Sequence, residues 1–288
     1  MTFTQDMDNT PSYISSGLSH ASSELSEKQK FAQLREQIRC LESPVQDHRV
    51  SSQLPALDNA LSGGLRFGHT HLICSHFHDA SATGFTIAWL DRIMAQDPNA
   101  TFIWCAPSYG GMQGRISAEG LAWYGLSPAH FIFVHEQHPM HLMAACEEAL
   151  QTHAVAAVIC EYGVAYQKAD KWQRWSRRLK RAARTSGVLG FMIGADAPAC
   201  GFETKWQVRS CPDAPSSASS AALQAEWHPS WQVDLCHAVR GRPYQARLIW
   251  NRTSHRFYPS SAHDPVSSNS TDLPAFMPSR QDRQALSA

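Results

Sequence analysis

The sequence has no net charge to spend. Its 25 lysines and arginines balance 25 aspartates and glutamates, so no global field draws it to nucleic acid or to a membrane surface, and any such binding must come from a local patch. No run approaches the roughly 20 apolar residues that a membrane span needs. The opening stretch MTFTQDMDNTPSYISS lacks both basic charge and an apolar core, so no signal peptide is expected there, and the expected location is the cytoplasm. None of the eight cysteines (Cys40, Cys74, Cys105, Cys146, Cys160, Cys200, Cys211 and Cys236) forms a CxxC pair. A zinc-ligand spacing is therefore missing, and the expectation is buried free thiols in a reducing compartment. There is no G-x-S-x-G elbow, which leaves a serine hydrolase without support. Most restrictive, no lysine occurs from Phe31 to Gln167.

What is present is an alternation. HTHLICS, TFIWCA, HFIFVH, VAAVIC and VLGFMI are short, apolar and rich in β-formers. Helical runs are predicted between them at 82–96, 117–124, 139–152 and 170–186. Strands alternating with helices argue for an α/β fold, a mainly parallel sheet flanked by helices. Four regions are expected: a disordered tail over 1–22, an amphipathic helix and connector over 23–48, a core over 49–258, and a second disordered tail over 259–288. In the second region Phe31, Leu34, Ile38 and Leu41 make one apolar stripe. Within the core, 212–226 reads as a Pro/Ser/Ala linker, and WQVDLC and YQARLIW as paired strands around HAVRGRP. In the last tail LPAFMP is an apolar island of the kind that can dock on a partner.

The strand–turn–helix HLICSHFHDASATGFTIAWL raises the functional question, and three chemistries compete for its turn. A metal site could use His76, His78 and Asp79, with His69, His71, His135, His138 and His141 elsewhere. Yet these do not follow the H-x-H-x-D-H order of metallohydrolases and form no ligand set of recognisable spacing. A working phosphate loop, G-x-x-x-x-G-K-[ST], needs glycines for backbone approach, a lysine for the β/γ-phosphates and a hydroxyl for magnesium. With no lysine nearby, no register supplies one. The third reading is a degenerate phosphate loop.

The surroundings favour the third. VSSQLPALDNALSGGLRFGHTHLICS resembles the run that opens the RecA core, with Leu57, Asp58, Leu61, Gly63, Gly64, Leu65 and Gly68 in matching places. The resemblance puts Ser75 and Ala80 at the two Walker A glycines, Ser81 at the lysine and Ala82 at the hydroxyl residue. It puts Glu161, in VAAVICE, at the Walker B aspartate. FIWCAPS lacks the acid that would activate water, and Gly194 and Ala195 stand where a nucleotide-sensing Asn-Gln would be. The segments matching the two DNA-binding loops, YGVAYQKADK and APACGFETK, are short.

One branch of RecA relatives is similar in just these respects: the inducible mutagenesis protein A (ImuA) family. LREQIRCLES, GLSPAHFIFVHEQHPMHLMAACEEAL, VAAVICE, RRLKRAARTSGVLGFMI, TKWQVRS and WQVDLCHAVRGRP resemble it in that order, over roughly residues 33–258. The resemblance implies a RecA-like core with a degenerate phosphate loop, no cofactor and no catalysis. It implies an adaptor in the SOS response, in damage-induced translesion synthesis. Its partners would be an inactive Y-family polymerase homologue (ImuB-like) and an error-prone DnaE-type polymerase, with RecA and the DNA backbone as further candidates and no membrane. The alternatives are a RecA-like ATPase with an atypical nucleotide site and a histidine-rich metallohydrolase.

A partner-binding surface is legible in KADKWQRWSRRLKRAARTSG. Trp172, Trp175, Leu179 and Ala182 or Ala183 form an apolar face, which turns Lys168, Lys171, Arg174, Arg177, Arg178, Lys180, Arg181 and Arg184 outward. Such a face is either simply solvated or contacts DNA phosphates or an acidic partner.

Overall fold

The computed structural model describes residues 48–108, 114–162, 169–211 and 228–260, with backbone alone at 169 and 170. The two expected tails, the Phe31–Leu41 stripe, the LPAFMP island and the 212–226 linker lie outside the described residues.

The chain enters through a two-residue strand, β1 (Arg49–Val50), and a short helix, α1 (Pro55–Ala60), and turns back through β2 (Leu65–Arg66). Asp58 ties this entry together: its carboxylate accepts from the Ser52 backbone N–H at 2.8 Å and from the Ser51 and Ser52 hydroxyls at 2.6 and 2.8 Å. The return needs Gly64. Its φ is +117°, and a Cβ there would lie 2.2 Å from the Val50 carbonyl oxygen.

Five buried residues, Thr70–Cys74, form β3, followed by α2 (Ser81–Gln96), β4 (Phe102–Pro107) and α3 (Ala118–Trp123). Next come β5 (Phe131–Glu136), α4 (Pro139–Gln151), β6 (Ala157–Glu161), α5 (Ala169–Ser186) and β7 (Leu189–Gly194). The chain closes with β8 (Thr204–Ser210), β9 (Ser230–Ala238), β10 (Tyr244–Asn251) and β11 (Arg256–Pro259). These make one nine-stranded sheet in the order β11-β10-β9-β8-β3-β7-β6-β4-β5. From β5 to β8 neighbours run parallel, and from β8 to β11 antiparallel. The protein is therefore an α/β fold with a mixed, mostly parallel sheet flanked by helices. No helix among the described residues is long and apolar enough to cross a membrane.

Period-2 alternation divides the core between the two faces. Phe102 and Trp104 of β4 pack with α1, α2 and α3, while Cys105 packs with α4 and α5. The first face is dominated by rings. Phe85 of α2 lies 5.5 Å from Trp206, 5.8 Å from Trp231 and 5.7 Å from Phe257, measured between centroids.

Two sequence expectations need correction. Pro259, placed at the start of a disordered tail, pairs with Leu248 as the last residue of β11. Proline is tolerated there because β11 is a sheet edge. Two cysteines expected to be buried, Cys200 and Cys236, are exposed, and Cys211 is half-buried, whereas Cys74, Cys105, Cys146 and Cys160 are buried. The helical runs begin or end within one residue of their expected bounds.

Candidate functional site

The turn between β3 and α2 holds an anion of its own. The Asp79 carboxylate accepts from the Ser81 backbone N–H at 2.9 Å, at the first turn of α2. It also accepts from the Ser210 hydroxyl at 2.6 Å and the Ser210 N–H at 3.2 Å, at the end of β8. Partial burial opposes its ionisation, but the bonds from Ser210 and Ser81 outweigh that and hold the carboxyl below its usual value. A helix N-terminus attracts anions; here the chain supplies the carboxylate itself.

The loop positions named from sequence are spent on this local structure. Ser75 donates its N–H to the Gly194 carbonyl at 3.1 Å and its hydroxyl to the Asp79 carbonyl at 2.9 Å. Ala80 precedes the helix without a side-chain cap. The Ser81 hydroxyl turns to the Val208 carbonyl at 2.9 Å, and Ala82 is fully buried. Replacing Asp79 with alanine is expected to cost about 0.5–2 kcal/mol, the range for a lost helix cap, read as a lower urea midpoint. Unchanged stability would show that the carboxylate is not held at the helix start.

The histidines of this region do other work. His71 is buried, with Nδ1 2.8 Å from the Thr204 hydroxyl, and burial pushes it down to about 3. His69 lies 3.8 Å from Glu203, while His76 and His78 are exposed. Among the described residues no group of three or more His, Cys, Asp or Glu is placed to hold a metal ion.

Glu161 ends β6 and is 7% exposed. Its Oε1 accepts from the Trp104 indole N–H at 2.7 Å. Burial pushes the carboxyl up to about 7, against the pull of the Trp104 bond. β7 stands between β3 and β6, so two inter-strand spacings, about 10 Å, separate Glu161 from the phosphate-loop strand. Gly194, at the end of β7, has no room for a side chain: a Cβ would lie 2.6 Å from the Tyr162 ring. That ring is anchored by its hydroxyl, which donates to the Ala195 carbonyl. Beside Glu161 lies a cavity of about 230 Å³, lined among others by Trp104, Pro107, Arg115, Phe133 and His135.

Neither a family model nor any curated protein matches this chain. The site must therefore be read from its own geometry.

The basic helix α5 lies across the sheet from α2. Trp172, Trp175, Leu179, Ala182 and Ala183 are buried, as their spacing predicts. Lys171, Arg174, Arg177, Arg178 and Arg181 are exposed, Lys180 and Arg184 half-buried, and Lys168 lies outside the described residues. Arg178 is spoken for by Glu147 of α4, at 2.5 Å. The fold thus does not bring the basic strip to the phosphate loop; the two occupy opposite layers.

Two acidic sites escaped the sequence reading. One is the Asp79–Ser210 clasp, for which HDAS just before a helical run is a capping signal. The other is Asp91 of α2, which is 5% exposed and 3.1 Å from His255 in the β10–β11 turn. Nothing local marks that pair.

Proposed function

We propose that this chain is a non-catalytic RecA-like accessory protein of damage-induced, error-prone translesion synthesis. It acts as an adaptor beside an inactive Y-family polymerase homologue and a DnaE-type polymerase. The observation that carries the reading is Asp79: in a strand–turn–helix unit resembling a phosphate loop, a carboxylate occupies the helix start that would otherwise receive phosphate. That negative charge repels the phosphates of a nucleotide, and Ala82 stands where the resemblance puts the magnesium-binding hydroxyl. The ordered likeness to the ImuA family supplies the pathway, and the α/β sheet is compatible with a RecA-like core. Arg174, Arg177 and Arg181 on α5 supply the partner-facing charge, toward DNA phosphates or an acidic protein surface.

The test is mutation frequency after ultraviolet damage in a strain lacking the gene, in the complemented strain, and in one complemented with Arg174, Arg177 and Arg181→Glu. Induced mutations are expected to fall towards the spontaneous level without the gene, to return with it, and to stay low with the charge-reversed form. Unchanged frequency in the deletion strain overturns the proposal. Tight, magnesium-dependent ATP binding by the purified protein would overturn its non-catalytic part in favour of a working ATPase.

A further inference from the structure

The crevice beside Glu161 sits at a place where α/β sheets bind ligands. β4 and β6 are parallel neighbours. The chain leaves β4 for α3 on one face and β6 for α5 on the other. Adjacent strands whose connections depart to opposite faces leave a crevice beyond their carboxyl ends. Pro107 and Glu161, the last residues of the two strands, both line the cavity.

Its chemistry is specific. The floor is a carboxyl group 7% exposed, with Oε1 tied to Trp104. Oε2 meets no donor among the described residues. The remaining accessible surface of this carboxyl faces the cavity, where a ligand can donate to it. One wall is Phe133, 38% exposed, whose ring lies parallel to that of His135 with centroids 6.4 Å apart. At the rim stands the exposed Arg115, whose guanidinium spends one of its N–H groups on the Ser108 carbonyl at 2.8 Å.

A matching ligand needs an N–H edge for Glu161, a flat face for Phe133 and negative charge for Arg115. The last requirement argues against a partner's arginine side chain, which Arg115 would repel. The volume of about 230 Å³ is below the roughly 300–1,000 Å³ of pockets for drug-sized ligands. It suits a single ring system with the remainder of the molecule outside.

We propose that this crevice takes the base of a nucleotide unit, its N–H edge on Glu161, its face on Phe133 and its phosphate at Arg115 and His135. Guanine is favoured, because its ring N–H and amino group lie side by side. Two sources carry this chemistry, a free mononucleotide and a single strand. The site is separate from the β3–α2 turn, and the inference stands whether or not the chain acts in mutagenesis.

Calorimetric titration of the full chain at pH 8 tests it, with guanosine monophosphate, the other three mononucleotides, guanosine, and five-nucleotide strands with or without one central guanine. Saturable binding is expected, strongest for the guanine-bearing probes and about tenfold weaker for guanosine than for its monophosphate. Glu161→Gln is expected to lose at least tenfold, Phe133→Ala several-fold, and Asp79→Ala nothing. A monophosphate that binds as tightly as the strand identifies a nucleotide site; a much tighter strand identifies nucleic acid. Absence of saturable binding by every probe, or full binding by Glu161→Gln, overturns the proposal. So does preference for an arginine amide over every base. Glu161→Gln relieves a buried charge, so a loss of binding in a variant with wild-type or higher melting temperature cannot be ascribed to unfolding.

Discussion

Gly64→Ala is expected to destabilise the protein by about 3–5 kcal/mol, at the upper end of what one substitution does. Gly63→Ala should cost only about 1–3 kcal/mol, the range for a strained backbone residue. Both glycines have positive φ, +112° and +117°, which a side chain disfavours. They differ in what a Cβ would meet. At Gly63 the nearest atom is the flexible Arg49 side chain at 3.4 Å, which can move. At Gly64 it is the Val50 carbonyl oxygen at 2.2 Å, and that oxygen belongs to β1, where Val50 pairs with Leu65. Relief therefore means breaking the β1–β2 pair, and with it the Asp58 clasp over Ser51 and Ser52. Urea unfolding of the two variants checks this. Equal costs at both positions would show that the close approach of β1 to Gly64 does not exist.

That contrast also marks how far the sequence could be read. LDNALSGGL stood out only through its likeness to the run that opens a RecA core; in the structure it covers most of α1 and the turn into β2. The apolar strands, the four helices and the buried tryptophans of α5 followed from periodicity, a local property. Cys236 could have been placed correctly on the same grounds. Trp231, Val233 and Leu235 alternate toward the core, so the next residue faces outward. The clasps were a different matter. Asp79 meets Ser210 across 131 residues, Asp91 meets His255 across 164, and Trp104 meets Glu161 across 57. Which carboxylate ends up beside which donor depends on strand order, with β8 beside β3 and β4 beside β6. Residue spacing carries no record of that order. Asp79 could consequently be weighed from sequence as a metal ligand and set aside, but its bonds to Ser81 and Ser210 at the helix start could not be foreseen.

Glu161 gives the second large effect, and its sign is opposite to that of a carboxylate held by hydrogen bonds such as Asp79. Its folded-state pKa is raised from 4.5 to about 7, mainly by burial. Between those values the folded protein binds more protons than the unfolded chain, so stability falls as pH rises through the interval. The penalty is absent below about pH 4.5 and complete above about pH 7; a rise of this size corresponds to about 3 kcal/mol. Glu161→Gln keeps an oxygen for the Trp104 indole and removes the charge. The variant is therefore expected to match the wild type within about 1 kcal/mol near pH 4.5 and to exceed it by about 2–3 kcal/mol at pH 8. Other titrating groups shift both proteins alike, so the difference between their unfolding free energies isolates this one. A difference that stays flat from pH 4.5 to 8 would mean that Glu161 is solvated, and the crevice proposal would lose its floor. A difference that opens as described shows a carboxylate held where it weakens the fold. Beside the rings of Trp104 and Phe133, such a group gains from a ligand that donates to Oε2, and binding should then lower its pKa and recover part of the lost stability. The same titration repeated with saturating guanosine monophosphate should narrow the gap between wild type and variant at pH 8, since only the wild type can make that bond.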